Sequence, residues 1–144
     1  MSSQYTSEYP KDIPFDAAYK RFFEEFYKMS DTPDANDKYP QFFTKDAVLI
    51  MASKRVEGSQ EILALRKSMW EKVSARSHKP LKVFPLGANA DEVMLYGTVE
   101  YVLKDGRQSG VDWAARACLV KEGEDVKMRF YQVYLDTAAQ VAAK

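Results

Sequence analysis

The fold is decided by residues 91–121, which read DEVMLYGTVEYVLKDGRQSGVDWAARACLVK. Apolar and polar residues alternate through most of this stretch, as they do in a β-strand with one buried face. The KDGR segment has Gly106 where a hairpin turn needs a positive φ. The stretch therefore predicts two long antiparallel strands, the first over residues 92–103. A third strand, VKMRFYQVYLD (126–136), is predicted to return after the turn EGED.

The residues before this meander contain the predicted helices. Aromatic residues recur at helical spacing after Pro14, which predicts a helix that ends near Ser30. The segments AVLIMA (47–52) and KRVEG (54–58) predict two short strands, and Ser59 is the expected N-cap of a second helix. HKPLKVFPLG, from His78 onward, predicts another strand. This order favours an α+β fold in which helices cover one side of a curved antiparallel sheet, leaving a mouth suited to a small molecule.

The composition and charge of the chain argue against several classes of protein. The 144 residues fit one domain, and the 21 basic and 21 acidic residues cancel, so a nucleic-acid partner is not expected. No apolar run approaches the roughly 18 residues of a membrane span, so no membrane partner is expected. The N-terminus lacks the character of a signal peptide, and Cys118 is the single cysteine. Together these features predict a cytoplasmic protein.

The inventory of reactive residues also excludes several chemistries. One cysteine and one histidine cannot build the common zinc-ligand sets, so no metal site is expected. The glycine-rich loops that hold nucleotide phosphates and the G-x-S-x-G elbow are absent, and no cofactor is expected. Acid–base chemistry would fall to carboxylates, tyrosines, arginines or His78.

Five segments together resemble a known family: GSQEILALRKSMWEKV, HKPLKVFPLG, DEVMLYGTVEYVLKDGR, VDWAARACLVK and MRFYQVYLD. The resemblance is to the NTF2-like superfamily, to its SnoaL-like group and to the small fungal members of that group. It implies an NTF2-like cone, with a curved antiparallel sheet packed against N-terminal helices, and often a homodimer. Relatives include isomerases, cyclases, dehydratases, hydrolases and non-catalytic binding modules, so the fold does not fix the function.

The resemblance covers residues 13–137, and this range is predicted to be a single NTF2-like domain. Residues 1–12 are predicted to form a flexible arm and residues 138–144 a C-terminal tail.

Strand pairing predicts a polar face on the sheet. If DGR is a three-residue loop, Glu100 lies opposite Asp112 and Tyr96 opposite Arg116. If the last hairpin then places Asp112 opposite Tyr134, one face carries Tyr96, Thr98, Glu100, Asp112, Arg116, Gln132 and Tyr134. A slip of one residue in either hairpin would move one set of side chains to the other face.

Four of the polar residues are candidates for catalysis: Asp112, Glu100, Arg116 and His78. Burial of the two carboxylates side by side would raise one pKa and create a proton donor. Arg116 could then bind a developing oxyanion. His78 has an ordinary pKa of about 6.5, which suits a general base. The resemblance adds that some related dehydratases use a His–Asp pair, for which His78 and Asp112 are possible equivalents, although there is no second histidine.

Tyr96, Gln132, Tyr134 and Trp70 are the candidate substrate-binding residues, and a hydrophobic or aromatic small molecule is the expected ligand. Two functions stay open, and a third, a protein adaptor like a transport factor, gains no support from the neutral net charge. One is a cofactor-independent isomerase, dehydratase or cyclase that uses pocket carboxylates for proton transfer. The other is a non-catalytic ligand-binding or dimerisation module, in which the polar face is exposed or meets a second subunit. The choice depends on which face of the sheet lines the cone.

Overall fold

One six-stranded sheet with the strand order β2-β1-β6-β5-β4-β3 organises the computed structural model, which describes residues 3–144 except the side chain of residue 140. The elements are α1 (Ala17–Ser30), a 3₁₀ turn (Tyr39–Phe42), β1 (Phe43–Met51), β2 (Lys54–Glu57), α2 (Gly58–Met69), β3 (Val73–Pro85), β4 (Glu92–Leu103), β5 (Gln108–Glu122), β6 (Asp125–Leu135) and α3 (Ala138–Val141). The predicted arm begins with residues 1 and 2, which lie outside the described residues.

The first two helices begin where side chains satisfy their free N–H groups. Asp16 caps α1 by accepting a hydrogen bond from the Ala18 N–H at 2.8 Å, so this helix begins later than Pro14. The carboxylate of Glu61 accepts from the Glu57 N–H at 3.0 Å, which starts α2 at Gly58 and not after Ser59. Neither helix, nor α3, is long and apolar enough to cross a membrane in the part of the chain described here.

The predicted α+β architecture is confirmed: the curved, unclosed sheet packs against the N-terminal helices. Strands β3 to β6 form the predicted antiparallel meander, and β4 has the predicted limits. The pairing of β1 with β6 is parallel, so the sheet is mixed and not wholly antiparallel. β3 begins at Val73, ahead of the predicted start at His78.

The register of the first long hairpin differs from the prediction by two residues. Glu100 lies opposite Gly110 and not opposite Asp112. The Leu103 N–H donates to the Arg107 carbonyl at 2.8 Å, so the turn again contains three residues, 104–106, and lies one residue earlier than the predicted loop DGR. Because the offset is even, side chains predicted to share a face still do so.

The last hairpin is offset in the same way. Tyr134 lies opposite Ala114, and Arg116 lies opposite Gln132. The polar face predicted from the sequence therefore exists, although its direct cross-strand pairs are different from those predicted.

The polar face is the outer face of the sheet. The inner face carries the buried side chains of Val99, Tyr101, Trp113, Ala115 and Val133. These residues pack toward the helices, where the aromatic residues of α1 complete the core. Residues at the alternate positions project away from the cone.

Gly97 allows β3 to pass very close to β4. A Cβ at this position would lie 2.3 Å from the carbonyl oxygen of Lys79, a distance that real Cβ atoms do not adopt. The pairing also shifts between Pro80 and Lys82, so both strands deform at this point. At the other end of β4, Gly106 has the predicted positive φ, 91°.

Residues 3–9 run along β3. Glu8 forms a parallel bridge there, with its N–H donating to the Leu81 carbonyl at 2.9 Å and its carbonyl accepting from the Val83 N–H at 3.0 Å. This segment reaches the polar centre described below.

Candidate functional site

A cavity of about 330 Å³ lies between the helices and the inner face of the sheet. Its size falls within the range typical of small-molecule sites. Six aromatic residues form much of its wall: Phe26, Tyr27, Tyr39, Tyr101, Trp113 and Tyr131. The polar side chains that reach it from β3 and α2 are described next.

His78 and Asp31 form a pair at the cavity. His78 Nδ1 lies 2.5 Å from Asp31 Oδ1, and the His78 backbone N–H donates to Asp31 Oδ2 at 2.7 Å. A carboxylate can only accept, so we assign the ring proton to Nδ1. His78 Nε2 has no hydrogen-bond partner within residues 3–144. Asp31 thus fixes the tautomer in which Nε2 is a free base.

Burial keeps the imidazole neutral. It lowers the pKa of His78 below its ordinary value, and the hydrogen bond that the ring donates to Asp31 opposes this effect only in part. The ring packs against Tyr27, with 5.4 Å between centroids, and edge-on to Trp113 at 5.9 Å. A neutral histidine with an unpaired nitrogen can accept a proton at neutral pH.

Tyr5, from the N-terminal segment, donates to Asp31 Oδ2 at 2.8 Å. Gln4 donates to the His78 carbonyl at 2.9 Å, which ties the same segment to β3. The Asp31 carboxylate is only 6% exposed and receives hydrogen bonds from Tyr5 and from both the ring and the backbone of His78. Such a carboxylate is a rigid orienting group for the imidazole.

Arg66 fixes the end of α1, where Asp31 is the C-cap residue. This arginine is fully buried. Its guanidinium donates to the carbonyls of Ser30 at 2.7 Å and Thr32 at 2.6 Å, and to Asn36 Oδ1 at 3.2 Å. A cation at a helix C-terminus is favourable, and these bonds satisfy carbonyls that the helix leaves unpaired. Arg66 therefore holds the backbone on both sides of Asp31.

Tyr27 and Tyr131 supply a proton donor. Their hydroxyl oxygens are 2.7 Å apart. Burial is the main cause of the raised pKa of both phenols, which remain protonated at neutral pH. One hydroxyl donates within the pair, which leaves the proton of the other for a ligand oxygen.

Arg76 approaches the cavity from the same face of β3 as His78, because the two residues are two apart on a strand. Its guanidinium donates to the Met69 carbonyl at 2.9 Å. It also contacts the rings of Trp70, at 5.1 Å, and Tyr101, at 5.2 Å. Nε is buried and has no hydrogen-bond partner among the described residues.

Of the eight residues singled out in the sequence, His78 alone lines the cavity. Trp70 is buried behind the wall, where it contacts the guanidiniums of Arg66 and Arg76 at 5.0 and 5.1 Å. The other six lie on the outer face of the sheet: Tyr96, Glu100, Asp112, Arg116, Gln132 and Tyr134.

The expectation that Asp112, Glu100 and Arg116 share an enclosed site is corrected by this placement. Asp112 and Glu100 are exposed, and Arg116 donates to Glu92 at 2.9 Å. Their alternation with buried residues placed them on one face correctly, but that face points out of the cone.

Sequence reasoning missed the residues that surround His78. Asp31 directly follows Ser30, the predicted end of the first helix, and an acidic residue at a helix C-terminus is electrostatically unfavourable, which is the signal that could have singled it out. Arg76 was missed because β3 was predicted to begin at His78. Tyr27 belongs to the aromatic residues expected to build the core between helices and sheet, a subset of which could line a pocket, and Tyr131 falls on the face opposite the polar one, which is the face that lines the cavity.

No cluster of three or more histidine, cysteine, aspartate or glutamate side chains that could bind a metal ion occurs within residues 3–144.

The sequence matches no protein-family model and no curated protein. Solved structures nevertheless match most of the chain. A protein from Jannaschia sp. CCS1, proposed to be a SnoaL-like polyketide cyclase, is 15% identical with a TM-score of 0.72, over 93% of this chain and 96% of that one. Nuclear transport factor 2 from Cryptosporidium parvum is 16% identical with a TM-score of 0.69, over 85% and 94% of the two chains.

A hexachlorocyclohexane dehydrochlorinase is 14% identical with a TM-score of 0.68, over 83% of this chain and 84% of that chain. At such low identities these similarities establish the fold, which is NTF2-like. They do not establish an activity.

Proposed function

We propose that this protein is a cofactor-independent enzyme that moves a proton on a compact hydrophobic or aromatic molecule, as isomerases, dehydratases and cyclases do. The observation that carries the proposal is the His78–Asp31 pair at an aromatic cavity, with Nε2 unpaired. The carboxylate used is Asp31, acting through the imidazole, in place of Asp112 and Glu100.

The chemistry needs one base and one acid. His78 Nε2 accepts a proton from a carbon next to a carbonyl group, and Asp31 stabilises the imidazolium that forms. The Tyr27–Tyr131 pair, whose oxygens lie 2.7 Å apart, donates to the oxygen that gains charge, either an enolate or a departing hydroxyl group. Return of the proton from His78 to another carbon completes an isomerisation, and its transfer to a departing hydroxyl group completes a dehydration.

The comparisons support this class of reaction without identifying the substrate. Structural neighbours are described as a polyketide cyclase and a dehydrochlorinase. SnoaL-like membership is proposed on the sequence segments quoted above, and fungal origin and a cytoplasmic location stay predictions.

Proton exchange with solvent tests the proposal without a known substrate. Aromatic ketones and β-hydroxy ketones would be incubated with the protein in D₂O, and loss of the α-proton signal followed by NMR. We expect exchange with at least one compound, and a fall of about 10²–10⁴-fold in its rate for His78→Gln. Asp31→Asn should slow exchange as well, because the amide can donate to Nδ1 and favour the wrong tautomer.

Asp112→Asn separates this proposal from the interpretation based on sequence alone. Asp112 lies on the exposed face, so this variant should exchange protons at the native rate. Loss of exchange in Asp112→Asn with retention in His78→Gln would contradict the proposed site.

The alternative, a non-catalytic ligand-binding or dimerisation module, is favoured by one observation. Large apolar side chains are exposed on the outer face, among them Phe84 at 51%, Met94 at 42% and Tyr134 at 46%. Apolar groups in such a position suit a subunit interface, and we propose a homodimer through this face. If no compound exchanges protons but ligands bind in the cavity, the module is the better description.

A further inference from the structure

The cavity has an excess of hydrogen-bond donors. Arg76 Nε and Trp113 Nε1 are both buried and have no acceptor within the described residues. Trp113 is only 4% exposed and lines the cavity, as does Arg76. Buried N–H groups without a partner are rare because each loses its bonds to water. A ligand that offers acceptor atoms would restore them.

The same region has an excess of positive charge. Arg66 and Arg76 are the cations that reach the interior, and Asp31 is the buried carboxylate beside them. Arg66 is occupied by the carbonyls at the end of α1. No carboxylate lies within ion-pair distance of Arg76 in the part of the chain described, and the charged residues at the mouth, Glu71, Lys72 and Asp136, are exposed.

The surroundings of Arg76 leave in-plane N–H groups of its guanidinium available to a ligand. The rings of Trp70 and Tyr101 contact the guanidinium at 5.1 and 5.2 Å, and Nη2 donates to the Met69 carbonyl at 2.9 Å. Guanidinium donors lie in the plane of the group, so stacked rings fix its orientation without using them. Planar guanidinium edges match carboxylates and other oxyanions.

We infer that the cavity takes an organic acid, a compact hydrophobic or aromatic molecule whose carboxylate or other oxyanion binds to Arg76 with help from the Trp113 N–H. This inference deepens the proposed function, because it names the substrate class of the same cavity. Arg76 and His78 project from one face of β3, so an acid bound to Arg76 presents its neighbouring carbons toward the imidazole.

Binding of two matched probes tests the inference. The probes are 2-naphthoate and its neutral amide, 2-naphthamide, titrated by calorimetry at pH 7.5. We expect naphthoate to bind at least about tenfold more tightly than the amide, because a charge-assisted bond to a buried guanidinium is stronger than a neutral one. Equal affinities, or no naphthoate binding at millimolar concentration, would overturn the inference.

Variants then assign the preference to Arg76. Arg76→Gln should reduce naphthoate affinity to that of the amide, and Arg76→Lys should retain only part of the preference, since it keeps the charge and loses the planar edge.

Lys79→Gln is the matched control, because it removes a cation from the opposite face of the same strand, and it should bind both probes as the native protein does. A preference that survives in Arg76→Gln contradicts the inference. If Arg76→Gln does not fold, the inference is tested by the Arg76→Lys variant and by the difference in affinity between the two probes in the native protein.

His78→Gln separates this inference from the proposed function. The variant should lose proton exchange and still prefer naphthoate over naphthamide. If proton exchange does not depend on His78, the proposed mechanism is wrong. The difference in affinity between naphthoate and naphthamide then still tests the organic-acid inference separately.

Discussion

His78 is the single histidine of the chain, and its environment is set by a few side chains. Asp31 orients the ring, Tyr27 and Trp113 cover it, and burial lowers its pKa. Because burial disfavours the charged form, protonation of His78 costs more free energy in the folded protein than in the unfolded chain. The protonation of this one residue therefore affects both the reactivity of the base and the stability of the fold.

Stability should decrease in mild acid because of this residue. The pKa of His78 in the folded state lies below that in the unfolded chain, about 6.5, so the unfolded chain binds the proton first as pH falls. We expect the free energy of unfolding to drop between pH 7.5 and 5.5, by at most about 1.4 kcal/mol per pH unit. Urea denaturation at several pH values measures this decrease.

His78→Gln is the control for that experiment, since no other histidine titrates in this range. Its free energy of unfolding should vary less between the two pH values. An equally steep decrease in the variant would show that other groups are responsible.

At the level of single residues, the sequence predicted which side chains share a face of the sheet, but neither their cross-strand partners nor the direction in which that face points. Alternation placed Asp112 and Arg116 on one face, and the structure keeps them there. It could not tell which face is concave, because both faces of the sheet carry aromatic and aliphatic side chains. Asp31 and His78 are far apart in the chain, and only the packing of α1 on β3 brings them together.

Among the elements, β3 and β4 show how the close approach of two backbones deforms strand pairing. Their pairing is deformed beside Gly97, where a side chain would meet the Lys79 carbonyl oxygen. The periodicity that predicted β4 with the correct limits gives no indication of this deformation. It arises from close approach between strands, which depends on register.

Gly97→Ala should therefore destabilise the protein by about 1–3 kcal/mol, the usual cost of forcing extra volume into a packed position. Thermal and urea denaturation followed by circular dichroism would measure the loss. The clash is with backbone at 2.3 Å, so rotation of a side chain cannot relieve it.

Gly110→Ala is the matched control on β5. Its added Cβ would lie 3.5 Å from the nearest atom, the Val99 carbonyl oxygen, which is ordinary contact. This variant should be as stable as the native protein or slightly more stable, because alanine restricts the unfolded chain. Similar losses in both variants would contradict the role given to Gly97.

At the scale of the whole molecule, the cavity and the exposed apolar surface lie on opposite faces of the sheet. The inner face and helices enclose the cavity, and the outer face exposes Phe84 and Tyr96, whose rings stack with 6.1 Å between centroids. The sequence resemblance implied that the protein is often a homodimer, and this exposed apolar face is where we place the dimer interface.

Phe84→Glu should disrupt that homodimer, because it introduces a charge at the centre of the exposed apolar group. We expect light scattering coupled to size exclusion to give twice the monomer mass for the native protein and the monomer mass for the variant. Gln60→Glu, which adds the same charge at an exposed position of α2 on the helix side of the sheet, should keep the native mass. A native protein that is monomeric at high micromolar concentration would contradict the proposed dimer.

The parallel pairing of β1 with β6 has a consequence for biosynthesis. Residues 43–51 find their sheet partner in residues 128–133, so neither β1 nor the adjoining β2 can join the sheet until the last strand has left the ribosome. Contacts between such distant segments are slow to form, because a long loop must close first. Until then the aromatic side chains of α1 that pack on β6, such as Phe26 against Tyr131, stay uncovered there, and the nascent chain exposes apolar surface of the kind that chaperones bind.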